Sequence, residues 1–246
     1  MVLGAFGLLI GSFLNVVIYR LPEGRSVVAP RSQCGSCGKM LGVWELVPVV
    51  SFFLQRGRCR HCRVRLSWRY PLVEGLTGVV FWLLGRRFQL SGVLVPFLVL
   101  AALLIAITFI DLDHYYIPDK LILVGACAWV GLRAMHPFIE VPRALLGMGL
   151  GFAVMLLIYL LARGGMGFGD VKLAALMGLY LGPAPVILAL LLSFVVGAVA
   201  GILLMTLKLK GRKDMLPFGP FLALGTFFTM LWGPAIILWY TGMIGM

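Results

Sequence analysis

Apolar runs separated by short polar stretches, and by one long one, set the organisation of the chain. The first run, Val2–Tyr19, would span about 27 Å as a helix at ~1.5 Å per residue, just enough to cross a bilayer core. Gly4, Gly7, Gly11 and Ser12 fall on one face of that helix, where small residues let a neighbouring helix pack closely. Asn15 needs a polar partner or a place near the interface. Basic residues follow the run rather than precede it, so it reads as a lasting span and not as a cleaved leader. Seven further runs, at about 72–85, 93–110, 117–136, 143–162, 171–183, 185–207 and 217–243, predict an all-α polytopic membrane protein of about eight transmembrane helices. The 171–183 run is short, roughly 20 Å as a helix. It ends at Gly182-Pro183-Ala184-Pro185, so it is expected to tilt, break or stop midway.

Composition agrees with this pattern and then adds sidedness. Of 246 residues, 61% are hydrophobic and only 12% charged, and the mean hydropathy is +1.04, which excludes an ordinary soluble domain. The net charge is +12. No basic run is interleaved with a soluble fold that could hold nucleic acid, so the excess reports orientation instead. Residues 20–71 carry ten of the 21 basic residues and four of the five cysteines, and form the one sizeable polar domain. Alternating eight spans places 17 basic residues on one side and four, Arg86, Arg87, Arg133 and Arg143, on the other. By the positive-inside rule the rich side is cytoplasmic and both termini face out. The chain thus divides into a first span (1–19), a cytoplasmic loop domain (20–71) and a seven-helix membrane domain (72–246).

The loop domain contains Cys34-Gly-Ser-Cys37 and Cys59-Arg-His-Cys62, two C-x2-C pairs with 21 residues between them. Tetrahedral zinc accepts four thiolates, and each tight C-x2-C turn supplies two. Disulfides are the alternative, disfavoured on a reducing cytosolic side. A closed site of four cysteines staples a small domain and performs no chemistry. His61 reads as an exposed bystander on its knuckle, and Cys127, inside an apolar run, as packing.

Acidic residues are scarce: nine in all, and four of them, Asp111, Asp113, Asp119 and Asp170, fall at predicted cytoplasmic boundaries. Asp170 lies in the glycine-rich stretch Arg163–Lys172, within Gly167-Phe168-Gly169-Asp170. A carboxylate at the mouth of an apolar helix is costly and signals function, although capping a helix that begins at Val171 would also explain it. A second cluster, Asp111-Leu-Asp113-His-Tyr-Tyr-Ile-Pro118-Asp119, offers a partner. Two carboxylates in low dielectric share one proton, and such a pair hydrolyses a peptide by activating water with one member and polarising the carbonyl with the other. Asp119 follows Pro118 and is explained by helix initiation. Asp111 ends an apolar helix, where the helix dipole disfavours an anion. That favours it over Asp113 without deciding between them.

These motifs, taken together, resemble the type IV prepilin peptidases. The resemblance runs nearly end to end: Gly11-Ser-Phe-Leu-Asn-Val-Val-Ile-Tyr-Arg-Leu-Pro22, the two cysteine pairs with Glu45-Leu-Val-Pro48 and Arg56-Gly-Arg-Cys59, and Arg69-Tyr-Pro-Leu-Val-Glu74. It continues through Asp111-Leu-Asp113, Ile117-Pro-Asp119, Gly167-x-Gly-Asp170 and Leu216-Pro-Phe-Gly-Pro-Phe-Leu222. It implies an eight-helix membrane bundle with Asp111 and Asp170 as the catalytic pair. The implied substrates are prepilins of type IV pili or pseudopilins of type II secretion, cleaved after a glycine that ends a basic leader. It further implies N-methylation of the new amino terminus from S-adenosylmethionine, in the bacterial cytoplasmic membrane. The first span starts almost at once, whereas some relatives carry a longer amino-terminal extension. The two aspartate motifs also lie closer together than in many relatives, the difference falling around Met135–Val141.

The methyl-transfer half has no G-x-G-x-x-G fingerprint; Gly147-Met-Gly149-Leu-Gly151 lies inside a span and reads as helix packing. The loop domain and Glu45–Gly57, with Gly57 permitting close ligand approach or simply making a turn, are the expected region of cofactor contact. A peptidase without methyl transfer, a transporter with boundary carboxylates, and a membrane anchor presenting a zinc module are the competing readings.

Overall fold

The computed structural model describes residues 1–162, 165–209, 211 and 215–244. Among them the regular structure is helical, with two isolated antiparallel bridges and no strand. Arg163, Lys210, Arg212 and Lys213, on which the orientation count partly rests, lie outside the described residues, as does Gly164 of the glycine-rich stretch. The chain packs as two compact units, Met1–Leu90 and Ser91–Met246.

In the first unit, α1 (Val2–Arg20) packs along α3 (Arg69–Phe88), and the intervening segment holds a 3-10 turn at Val43–Leu46 and a short α2 (Val50–Leu54). The small face foreseen on α1 is the contact. A Cβ on Gly7 would stand 2.8 Å from Phe81 Cβ, and one on Gly11 would stand 2.7 Å from Glu74 Cα. Asn15 finds its partner: its Nδ2 donates to the Tyr70 carbonyl at 3.1 Å. Arg20, buried at the end of α1, donates to the carbonyls of Ser26 and Pro30, at 3.1 and 2.7 Å. That ties the start of the loop to the helix. Because α3 packs on α1, the two helices and the segment between them belong to one compact unit that ends at Leu90.

The second unit comprises α4 (Leu94–His114), α5 (Asp119–Met135), α6 (Val141–Leu161), α7 (Phe168–Leu181), α8 (Pro183–Thr206) and α9 (Gly219–Ile244). Short, apolar α7 is its core, with ten of its 14 residues buried. The expected stop is real: Gly182, at φ 83°, ends α7 and α8 begins directly at Pro183. A left-handed φ of that kind costs glycine little, and proline is at home in a helix's first turn. Along α7, helix α6 approaches backbone to backbone. A Cβ on Gly147 would lie 2.3 Å from the Gly178 carbonyl oxygen, and one on Gly151 would lie 2.4 Å from that of Ala174. Gly147 and Gly151 are therefore packing glycines, as their place inside a span implied; Gly149 faces open space. Tyr180, fully buried on α7, donates to the Gly125 carbonyl of α5 at 2.8 Å.

Among the described residues, five helices are long and apolar enough to cross a membrane: α1, α4, α6, α8 and α9. The other three expected spans correspond to α3, whose 20 residues include Arg69, Glu74, Arg86 and Arg87, and to α5 and α7, of 17 and 14 residues. The chain is a multi-pass, all-helical membrane protein.

Candidate functional site

Asp111 and Asp170 come together in the second unit. Asp111 sits in the last turn of α4, which Tyr115 closes in the left-handed region at φ 56° with its N–H on the Asp111 carbonyl at 2.9 Å. Asp170 occupies the first turn of α7. The helix begins at Phe168 with Gly167 as N-cap, so Asp170 is not the cap of a helix starting at Val171. Its side chain faces the chain just before it: a Cβ on Gly167 would stand 3.6 Å from Asp170 Oδ2. Both carboxylates are buried, 5% and 6% exposed, and they lie close enough to repel one another. Burial and mutual repulsion both disfavour two negative charges at this place.

Three neighbouring features position this pair. Gly169 lets the turn after α4 close on the start of α7, because a Cβ there would stand 2.9 Å from the Cβ of buried Ile117. Helix α9 supplies the second: Gly219 N–H donates to Asp111 Oδ2 at 2.8 Å. A helix N-terminus presents unpaired N–H groups that suit an anion. The third is an ion pair, Lys172 Nζ to Asp119 Oδ1 at 2.7 Å, which accounts for Asp119 at the exposed start of α5. Asp113 is exposed on the same turn as Asp111. The structure thus buries Asp111 and Asp170 together and leaves Asp113 and Asp119 at the surface. Gly219 lies within the Leu216–Leu222 motif, yet nothing local in the sequence marks it as a donor to a residue 108 positions away.

The four loop cysteines form a second constellation, in the first unit. Each C-x2-C turn is closed the same way. Cys34 N–H bonds the Lys39 carbonyl and Gly38 N–H bonds that of Cys34, both at 2.9 Å; Cys59 to Val64 and Arg63 to Cys59 repeat this at the same distances. Gly38 and Arg63 hold the equivalent left-handed position, φ 68° and 57°. The sulfurs of Cys34, Cys37, Cys59 and Cys62 lie within 4.8 Å of one another, with Cys34 and Cys62 3.8 Å apart. Tetrahedral Zn–S bonds of about 2.3 Å require sulfurs ~3.8 Å apart, so the set fits a metal ion. Its titration fits too. The amides of Cys37 and Ser36 hold the Cys34 thiol down at about 6. At Cys62 the Val64 amide pulls down, but desolvation and the neighbouring thiols push the group up to about 11. Four sulfurs this close cannot all ionise unaided, and a dication offsets that cost.

His61 is exposed, with Nε2 3.8 Å from Glu45 Oε1, and Cys127 is exposed on α5. Gly57 adopts φ 65°, and a Cβ there would meet the Phe52 ring at 3.2 Å. It lines a cavity of about 520 Å³ with Phe52, Phe53 and Trp68. A larger cavity of about 730 Å³ opens beside it, bordered by Trp44, Glu45, Ser51 and Gln55.

Comparison with known proteins decides the family. Residues 5–88 match the Bacterial Peptidase A24 N-terminal domain, and residues 98–202 match the Type IV leader peptidase family. The chain belongs to the type IV leader peptidase family. Its relatives in this family include proteins named prepilin leader peptidase/N-methyltransferase from several bacteria. That of Pseudomonas putida is 37% identical over 94% of this chain and 89% of its own length. The Aeromonas hydrophila protein is 37% identical over 96% and 91%. The Bacillus subtilis (strain 168) protein is 34% identical over 98% of both chains. No solved structure matches. The family boundary near residue 88 coincides with the packing boundary at Leu90, and both aspartates fall within the leader peptidase match.

Proposed function

We propose that the chain is a membrane aspartyl endopeptidase that removes the basic leader of prepilins or pseudopilins and then methylates the new amino terminus. The observation that carries the first half is the buried pair Asp111 and Asp170, within electrostatic reach of one another. One carboxylate, ionised, takes a proton from water as the water attacks the scissile carbonyl; the other, protonated, polarises that carbonyl and later protonates the leaving amine. Gly219 N–H fixes the Asp111 carboxylate for this exchange. Asp113 and Asp119 take no part in it.

The remaining assignments follow from charge and compartment. The loop-rich side is cytoplasmic and both termini face out, with α3, α5 and α7 completing eight spans. Acidic residues clustered at that boundary complement a basic leader. The four cysteines hold one zinc ion, which orders residues 20–71 and touches no substrate. Methyl transfer belongs to that loop domain and peptide cleavage to the membrane domain. S-adenosylmethionine supplies the methyl group when bound, and Glu45–Gly57 is the segment placed to hold it. The relatives' shared name supports both activities and weighs against a peptidase alone.

A two-substrate assay tests the division. Asp170→Asn should fail to cleave a full-length prepilin, and so fail to methylate it, yet should methylate a peptide that begins at the mature residue. If the inserted, metal-loaded variant cannot methylate that peptide either, the two activities share residues and the division is wrong.

A further inference from the structure

The loop domain sets ten basic residues, from Arg20 to Arg69, against only two acidic ones, Glu23 and Glu45. Glu23 is spent on an ion pair with Arg25. Glu45 is different. Its Oε2 accepts the Gly42 N–H at 2.8 Å, closing the turn at Val43–Leu46, whereas its Oε1 is buried with no hydrogen-bond partner. The imidazole of His61, with Nε2 at 3.8 Å, is beyond hydrogen-bond reach. A buried carboxylate oxygen left unsatisfied costs more than any neutral group in its place. His61, when protonated, is a charged neighbour of this oxygen, at ion-pair distance, and it leaves the oxygen's hydrogen-bonding capacity open.

Glu45 lines the cavity of about 730 Å³, within the ~300–1,000 Å³ range of small-molecule sites. Trp44, 83% exposed, stands beside it, an aromatic face left to water at the mouth of a concave site. Arg56, Arg58 and Arg60 border the same space. A free amino acid head group carries an ammonium and a carboxylate side by side, and this cavity offers one carboxylate with an open acceptor among several guanidinium groups. A peptide amino terminus carries the ammonium alone and leaves the arginines unused.

We propose that this cavity, distinct from the one lined by Gly57, binds the amino acid end of the methyl donor. Glu45 Oε1 accepts the donor's α-ammonium, the bordering arginines face its α-carboxylate, and Trp44 stacks on its adenine. This rests on the reading that the chain transfers a methyl group.

The test is binding, measured by calorimetry on the detergent-solubilised full chain with metal bound. The probes are S-adenosylhomocysteine, which keeps the amino acid end, and methylthioadenosine, which lacks it. Glu45→Gln should weaken S-adenosylhomocysteine roughly 10- to 100-fold, the loss of one charge-assisted hydrogen bond, and leave methylthioadenosine unchanged. Trp44→Ala should weaken both probes alike. Wild-type-like affinity of Glu45→Gln for S-adenosylhomocysteine, or equal loss of both probes, overturns the proposal. So does a result in which Glu45→Gln weakens a phenylalanine-initiated peptide and not S-adenosylhomocysteine, because the cavity would then hold the substrate amine. If the wild-type chain binds neither probe and does not methylate the pre-cleaved peptide, it is the methyl-transfer reading that fails.

Discussion

Gly219 offers the sharpest test of the aspartyl site, because its replacement is conservative everywhere except at one atom. A Cβ at Gly219 would stand 2.7 Å from Asp111 Oδ2 and 3.3 Å from both Asp111 Cβ and Cγ. The carboxylate belongs to a helix end buried in the unit and cannot take the added methyl without turning away. To regain ordinary contact it must move by several tenths of an ångström to about 1 Å, and misplacement on that scale costs about 100-fold in rate. The same movement lengthens the Gly219 N–H bond, 2.8 Å in the wild type, and a bond to a charged group contributes about 1.5–3 kcal/mol. Both routes give a fall of roughly 10- to 100-fold in kcat. Gly219 opens α9, where alanine gains little of its helix-interior advantage over glycine, so the melting temperature should fall modestly with the weakened clamp, and cleavage is compared at equal amounts of folded enzyme. Gly242→Ala, in the same helix with nothing within 4 Å of the added atom, is the control and should cleave normally. The assay is cleavage of a full-length prepilin by equal amounts of purified variant. Cleavage by Gly219→Ala within threefold of Gly242→Ala would refute the placement of α9 against Asp111.

Three further outcomes follow from the same geometry. Asp111→Asn and Asp170→Asn should each abolish cleavage, and the double variant should be no worse than either, since the pair acts as a unit; loss in Asp113→Asn with activity kept in Asp111→Asn would move the site. Metal analysis of protein purified without chelator should find one zinc per chain, lost on replacing Cys34 or Cys59, with the membrane helices still folded; absence of zinc ends that assignment. Glu74→Ala should expose the 47–54 segment to hydrogen exchange by roughly 10- to 100-fold, because Glu74 Oε2 accepts the Val49 N–H at 2.7 Å and Val49 is held at φ 62°, a strained conformation for a β-branched residue. Unchanged exchange there would mean that other contacts hold the turn.

What the sequence made legible was periodic or closely spaced. The apolar runs marked the helices, the two C-x2-C pairs their common cluster, and Gly7 and Gly11 the α1 face that meets α3. Helix α7 was legible as a short segment that stops at Gly182, but its start was misplaced by three residues. Phe168 and Gly169 read as part of a glycine-rich loop, whereas the helix starts at Phe168 with Gly167 as its N-cap. The packing boundary at Leu90 left no mark in composition for a related reason. A change from polar to apolar at residue 71 is visible in composition, whereas the partner of α3 is decided by glycines on α1 about 70 residues earlier. Long-range pairings leave no local trace at all: Gly219 to Asp111 and Val49 to Glu74 are each one hydrogen bond between distant segments.

Two buried carboxylates, Asp111 and Glu74, share a logic that explains why their backbone partners escape a reading by pattern. At Asp111 and at Glu74 a carboxylate is placed in apolar surroundings and given a backbone N–H from a segment far away in sequence. Burying an acid alone is expensive, and the N–H offsets part of that cost only while the distant segment stays docked. Each carboxylate is therefore also a clamp, Asp111 on the start of α9 and Glu74 on the turn into α2. It follows that a neutral amide, which preserves shape but accepts the N–H less strongly, should loosen the docked segment as well as remove the charge. For Glu74→Gln the local opening at Val49 should rise, by less than in Glu74→Ala, with no change in cavity-lining residues. For Asp111→Asn the first turn of α9 should exchange faster even though no peptide is bound. Hydrogen exchange on the two amide variants reads this directly, and full protection of Gly219 in Asp111→Asn would mean that the N–H serves the chemistry alone and not the fold.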